Sequence, residues 1–80
     1  MANQGTDGHW RMQLNNLLQA NAQLGTLEWE LTCRQGHQGP WTAVAYVGDT
    51  EYGRGLGMSK NAAKEAAAKQ AYEAIAQAQG

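Results

Sequence analysis

With 80 residues, the chain has room for one small domain and none for a separate catalytic domain. Its hydrophobic content of 42% excludes wholesale disorder, and no apolar run is long enough to span a bilayer. Six Lys and Arg against seven Asp and Glu give a net charge of −1, whereas a nucleic-acid binder usually carries a basic excess. How the charges are distributed therefore matters more than their total.

The N-terminal half predicts a tail followed by a helix. Residues 1–8 are polar and contain glycine, so we expect a disordered tail there, a domain over residues 9–77 and a short C-terminal tail over residues 78–80. From about Trp10, leucines recur at helical spacing, and this first helix should end near residues 21–25.

Three strands are predicted next. Residues 27–32 alternate apolar and charged or polar side chains, which is typical of a half-buried antiparallel strand. Residues 41–47 form a second strand with one apolar face, and the Gly-Asp pair at 48–49 predicts a tight turn into a third strand over residues 50–54. The glycine-rich residues 55–57 are predicted to form a turn before the last helix.

The last helix is predicted from Lys60 to about Ala76, with an alanine-rich apolar stripe. Two helices can cover the apolar face of a three-stranded sheet. The predicted fold class is therefore α+β, in the order α-β-β-β-α, with two helices packed on one face of a three-stranded antiparallel sheet.

The start of this helix is a candidate anion site. Ser59 is placed as its N-cap, and Lys60 and Lys64 lie four residues apart at the positive end of the helix dipole. Backbone N–H groups, dipole and ammonium groups then converge on one spot. Because both lysines fall close to the azimuth of the apolar stripe, we expect the first turns to overhang the sheet edge and to project the lysines outward.

Three stretches, in this order, resemble the double-stranded RNA-binding domain. Residues 14–19 are similar to its first-helix L-N-E-L-x-Q segment, and residues 37–41 to its H-x-x-x-F segment. Residues 55–68 resemble its lysine helix, whose pattern is roughly G-x-G-x-S-K-K-x-A-K-x-x-A-A. The resemblance covers residues 10–75 and implies that double-stranded RNA is the partner.

The resemblance also implies a role for each site residue. Domains of this kind span about 16 bp, contacting two successive minor grooves and the phosphates between them. Three amide side chains would reach one minor groove: Asn15, Asn16 and Gln19. The other minor groove would be reached by His37, helped by backbone groups of Gly36 and Gln38. Phosphates across the major groove would be bound by Lys60, Asn61 and Lys64.

Three departures from the family pattern predict modest, micromolar affinity. Asn61 stands where the family often has a lysine, which removes one charged phosphate contact. Asn16 stands where the family usually has glutamate, so its hydrogen bond is neutral and weaker. The loop that carries His37 is about two residues short and lacks the usual G-P before the histidine.

Nucleotide, metal and catalytic functions are weakly supported. The glycines of residues 53–57 are not preceded by a parallel βαβ unit, as a dinucleotide loop requires. His9, Cys33 and His37 lack the spacing of metal ligands, so we expect no metal and no cofactor. Acidic residues occur in close pairs without a pocket or a base beside them, so we expect neither an enzyme nor a small-molecule substrate.

The main alternative is a protein–protein role, as a dimerisation or adaptor module that has lost RNA contacts. Val44 and Tyr46 are predicted on the sheet face away from the helices, where an apolar pair, or the uncovered edge of the third strand, would bind a protein partner or form a homodimer. No membrane partner is expected. The single Cys33 cannot form an internal disulfide, which favours an intracellular location in the cytoplasm or nucleus.

Overall fold

The computed structural model describes residues 9–33 and 40–79. In chain order the elements are α1 (His9–Ala20), a 3-10 turn (Ala22–Leu24), β1 (Leu27–Cys33), β2 (Trp41–Val47), β3 (Thr50–Gly57) and α2 (Lys60–Gln79). The strands form an antiparallel sheet in the order β1-β2-β3, and both helices lie on the same face of it. The predicted α-β-β-β-α fold is therefore confirmed. The tail predicted over residues 1–8 lies outside the described residues.

Helix α1 buries a narrow leucine face. Leu14 and Leu18, one turn apart, are 0% and 8% exposed, and they pack into the main core. The helix ends at Ala20 because the next residue competes for the last carbonyl groups. The Asn21 side-chain amide donates to the carbonyl oxygen of Leu17 at 2.8 Å, which satisfies an acceptor that the helix leaves unpaired.

The turn between β2 and β3 confirms the prediction made from Gly48 and Asp49. Both residues have positive φ angles, 58° and 72°, which is the backbone of a type I′ hairpin turn. This turn matches the right-handed twist of the two strands and fixes their register, in which Val47 pairs with Thr50. A register shift between Ala45, which pairs with Gly53, and Tyr46, which pairs with Glu51, marks a bulge at Tyr52 of β3, shortly after the turn.

The inner face of the sheet has a gradient of side-chain size across its three strands. Gly53 of β3 pairs with Ala45 of β2, and Ala45 pairs with Trp29 of β1. The next inner row repeats the order with Gly55, Ala43 and Leu31. Helix α2 therefore lies over β3 and β2, where side chains are smallest, and the large side chains of β1 fill the space beside it.

Strand β3 is three residues longer than predicted, and the predicted glycine turn at residues 55–57 is wrong. Gly53, Gly55 and Gly57 alternate on the inner face, and a Cβ on any of them would collide with the α2 backbone. Two strand residues and four helix residues both advance roughly 6 Å, so glycines at spacing two match alanines at spacing four. Glycine serves here to admit a helix rather than to turn the chain.

Helix α2 buries the predicted alanine stripe completely. Ala63, Ala67, Ala68 and Ala71 are 0% exposed, and Ile75 is 1% exposed. The helix runs to Gln79, three residues beyond the predicted end, because the sequence there contains only the helix-favouring residues alanine and glutamine. Neither of the helices described is both long and apolar enough to cross a membrane.

The outer face of the sheet differs from the prediction. Val44 is only 5% exposed, and it lies in register between Glu30 of β1 and Arg54 of β3. The Tyr46 hydroxyl donates to Glu30 Oε1 at 3.0 Å. The expectation of a solvated apolar pair at Val44 and Tyr46 is therefore wrong, because long charged side chains flank the valine and the tyrosine is half-buried and hydrogen-bonded.

Candidate nucleic-acid interface

Helix α2 begins with the predicted cap. The Ser59 hydroxyl oxygen accepts a hydrogen bond from the Ala62 N–H at 3.1 Å, and the Ser59 carbonyl accepts from the Ala63 N–H at 3.0 Å. The cap fixes the direction of the first turn, and the positive end of the helix dipole points to solvent beside it. This end of α2 is therefore suited to attract an anion.

Lys60 is exposed at this end of α2 and lies above an aromatic ring. Its Nζ is 5.1 Å from the centroid of Trp41, within the range of a cation–π contact. The expected overhang is wrong, because Ala63 in the same turn is 0% exposed and packs against Trp41 and Ala43. Lys60 instead reaches solvent across the Trp41 ring, which holds the ammonium group beside the cap.

Lys64 lies in a cleft between the two helices. It is half-buried and lines an open cleft of about 430 Å³ together with Asn15 and Asn16 of α1. Arg11, Met12, Leu27 and Trp29 complete the lining. The predicted phosphate-binding lysine and the predicted minor-groove amides are thus on one surface. Gln19 is exposed one turn beyond Asn15, and the two line a neighbouring hollow.

The predicted sites at Gly36, His37 and Gln38 lie outside the described residues, so their roles stay predictions. The residues on either side of that segment are described. Cys33 and Trp41 are register partners at one end of the sheet, and Trp41 lies beneath Lys60. Cys33 and Trp41 thus lie at the end of the sheet where α2 begins.

Two residues of this surface, Arg11 and Glu65, were not predicted. Arg11 Nε donates to Glu65 Oε2 at 2.6 Å, and Arg11 Nη1 donates to Asn61 Oδ1 at 3.3 Å. The pair is 54 residues apart in sequence, so no local motif marks it. A helical wheel gives the only signal, since it places Glu65 beside Ala68 and Tyr72, on the flank of the stripe that faces α1.

Three of the acidic side chains lie on the outer face of the sheet. Glu28, Glu30 and Glu51 lie exposed on the outer face of the sheet, and Glu51 forms an ion pair with Arg54 at 3.1 Å. The hydrogen bond to Glu30 raises the pKa of Tyr46 above its ordinary value of 10.0 because it stabilises the protonated phenol. The candidate interface thus lies on the side away from these acids. Over residues 9–33 and 40–79, no three His, Cys, Asp or Glu residues cluster as a metal site would require.

Comparison with known proteins identifies the family. The sequence profile described as "Double-stranded RNA binding motif" matches residues 10–75, which is nearly all of the described domain. No curated protein matches the chain. The fold has the same element order and the same sheet as the resemblance implied. The chain is a member of the double-stranded RNA binding motif family, a nucleic-acid-binding and not a catalytic domain.

Proposed function

We propose that this domain binds double-stranded RNA by its shape, through two minor grooves and the phosphates of the major groove between them. The observation that carries the proposal is the cleft in which Lys64 of α2 lies beside Asn15 and Asn16 of α1. A cation for phosphate and amides for 2′-hydroxyl groups must act together in this binding mode, because a minor groove and the adjacent phosphates are contacted at once.

The α2 end of the interface binds phosphates. Lys60 and Lys64 supply the charges, and the uncompensated N–H groups of the capped first turn add to the attraction. Asn61 contributes its amide N–H group, because its Oδ1 already accepts a hydrogen bond from Arg11. Two lysines and one amide give a small electrostatic contribution, which is consistent with modest affinity.

The α1 end reads the minor groove without reading sequence. Asn15, Asn16 and Gln19 are exposed, and each amide both donates and accepts hydrogen bonds, as a 2′-hydroxyl does. Gly36, His37 and Gln38 would contact the second minor groove in the same way. Because DNA lacks the 2′-hydroxyl, the domain should prefer RNA whatever the base sequence.

The binding mode is tested by titrating isotope-labelled protein with an RNA duplex of roughly 20 bp, longer than the expected footprint of about 16 bp, and with the matched DNA duplex. We expect amide shifts over residues 15–19, 36–38 and 59–64 with RNA and much smaller ones with DNA. Equal shifts with both duplexes would contradict the role given to the 2′-hydroxyl groups. An absence of shifts at low salt would contradict RNA binding itself.

The site assignment is tested by charge reversal. The double variant Lys60→Glu, Lys64→Glu should fold and lose RNA binding, because two attractive charges become repulsive. Lys69→Glu is the control for charge reversal elsewhere on α2, since Lys69 lies about half a turn around from Lys60, with its Nζ 5.9 Å from the Trp10 ring centroid. It reverses one charge where the double variant reverses two. A folded double variant that binds RNA as tightly as the control would overturn the assignment.

The second candidate is a homodimer formed through the edge of β3. Leu56 is 66% exposed on this edge strand, and it lines a groove with Thr42, Ala66 and Gln70. One contact argues against strand pairing there, because the Arg54 N–H already donates to Gln70 Oε1 at 3.1 Å. Sedimentation equilibrium without RNA decides the matter: a monomer at high protein concentration would exclude this candidate.

A further inference from the structure

The buried acid Glu65 connects the two helices of the interface. It lies on α2, is only 9% exposed, and both of its carboxylate oxygens bind α1. Oε1 accepts a hydrogen bond from the Trp10 N–H at 3.0 Å, and Oε2 accepts one from Arg11 Nε at 2.6 Å. The Trp10 N–H is one of the donors that the first turn of a helix cannot pair internally. Glu65 thus fixes the start of α1 from the side of α2.

Arg11 extends this connection along α2. Its Nη1 donates to Asn61 Oδ1 at 3.3 Å, so one guanidinium group spans the helical turn between Asn61 and Glu65. Lys64 lies within that turn. One turn further along α1 are Asn15 and Asn16, which line the same cleft as Arg11 and Lys64. The ion pair is therefore at the junction of the two groups of residues that would contact RNA.

The attraction for phosphate gives no reason for an acid at this place. A carboxylate adjacent in sequence to Lys64 reduces the attraction for phosphate, and burying it costs desolvation energy. An ion pair in such a position is weak evidence for stability, and fixed geometry is the better explanation where a backbone and a side-chain hydrogen bond converge on one carboxylate. The contacts of Glu65 with the backbone and the side chain of α1 are of this kind.

We propose that Glu65 and Arg11 are positioning residues, which hold the α1 amides at a fixed separation from the α2 lysines so that both contact one RNA duplex together. The proposal rests on the function proposed above. It predicts an effect of Glu65 substitution on RNA affinity that is opposite to the effect expected from net charge. Replacing Glu65 with a neutral residue makes the chain less negative and, by charge alone, should tighten binding. Loss of the fixed separation should instead weaken it.

The test is a double-mutant cycle on RNA affinity, measured by fluorescence anisotropy with a duplex of roughly 20 bp. We expect Glu65→Ala to weaken binding about fivefold despite the gain in net charge. Asn15→Ala should lower RNA affinity about fivefold in the native protein. In the Glu65→Ala variant the same change should lower it less than about twofold, because α1 is no longer held in place. Lys60→Gln should cost the same in both backgrounds.

Glu51→Ala is the matched control. It changes the net charge equally but breaks the exposed ion pair with Arg54 on the outer face of the sheet. It should leave RNA affinity unchanged within about twofold. Asn15→Ala should lower RNA affinity by the same factor in the Glu51→Ala variant as in the native protein. If Glu65→Ala does not fold, Glu65→Gln replaces it in the same cycle, since its amide oxygen can still accept from the Trp10 N–H.

The outcomes separate the two proposals. If the native domain does not bind the duplex, both are overturned. If it binds, and folded Glu65→Ala binds as tightly or more tightly, the positioning role is overturned and the RNA function stands. An undiminished cost of Asn15→Ala in the Glu65 variant would also overturn it, because a role in stability alone leaves that cost unchanged.

Discussion

Gly53 of β3 lies so close to Ala71 of α2 that a Cβ at position 53 would stand 2.5 Å from the Ala71 backbone nitrogen. Ala71 is itself 0% exposed, so neither element has room to move. Where α2 crosses β3, the two layers are therefore joined by backbone approach rather than by large interlocking side chains. This close contact fixes the height of α2 above the sheet, and with it the place of the lysines at its N-terminus.

The first prediction concerns this contact. Gly53→Ala should lower the free energy of unfolding by about 3 kcal/mol, because the added methyl group meets backbone atoms that cannot rotate away. Urea denaturation followed by circular dichroism measures the loss.

Leu56→Ala is the control, on the same strand but 66% exposed, and it should change stability by less than about 0.5 kcal/mol. If Gly53→Ala proved as stable as this control, the close packing of α2 on β3 would be incorrect.

The fold was largely predictable, and the error in β3 shows where sequence patterns fail. Leucine spacing in α1, alternation in β1 and β2, the turn signal at residues 48–49 and the alanine stripe of α2 were together sufficient for the α-β-β-β-α order. Glycine is a strong turn signal, so residues 55–57 were predicted to turn. What that rule omits is that glycine also occurs where another backbone approaches closely. Here the approaching backbone is that of α2, which follows β3 in the sequence, so no pattern within β3 reveals why its glycines are needed.

The candidate site was predictable where its signal is local. The Ser59 cap and the lysines of α2 follow from a few adjacent residues, and the cap is present as predicted. The pairing of Arg11 with Glu65 depends on how α1 crosses α2, which composition and periodicity do not determine. The two faces of the sheet were assigned correctly, but Val44 was expected to be exposed because the lengths of the flanking side chains were not considered.

Ser59 allows helix capping to be separated from phosphate binding. Ser59→Ala should destabilise the domain by about 1 kcal/mol, since the Ala62 N–H loses its acceptor. Ser59→Asp retains an acceptor and suits the positive end of the dipole, so it should match the native stability. Its negative charge at the anion site should nevertheless weaken RNA binding.

Thermal unfolding and RNA anisotropy together check this prediction. Parallel losses of stability and affinity in both variants would contradict it, because they would mean that the cap acts on RNA binding only through folding. Native affinity in a stable Ser59→Asp variant would exclude an anion site at the start of α2.

The hydrogen bond between Tyr46 and Glu30 predicts a pH effect on the outer face. Because the Tyr46 pKa is raised in the folded state, the stabilisation from this bond is fully present below pH 10.0 and is lost as pH rises through the higher folded value. Glu30→Gln should lower the Tyr46 pKa towards its ordinary value, as followed by NMR of the labelled ring. Glu73→Gln removes an exposed acid of α2 and should leave that pKa unchanged.

The salt dependence of RNA binding tests how many charges contact phosphate. Affinity should fall linearly on logarithmic axes as salt rises, with a shallow slope that reflects two or three neutralised phosphates, roughly −2 to −3. Lys60→Gln should reduce the steepness by about one, and Lys64→Gln should do the same, since each removes one phosphate contact. Lys69→Gln should leave the slope unchanged because Lys69 projects about half a turn around α2 from Lys60. If the Lys60 variant kept the native slope, as the Lys69 variant should, phosphates would not be bound at the start of α2. The duplex would then be held by the amides of α1 or by the segment containing His37.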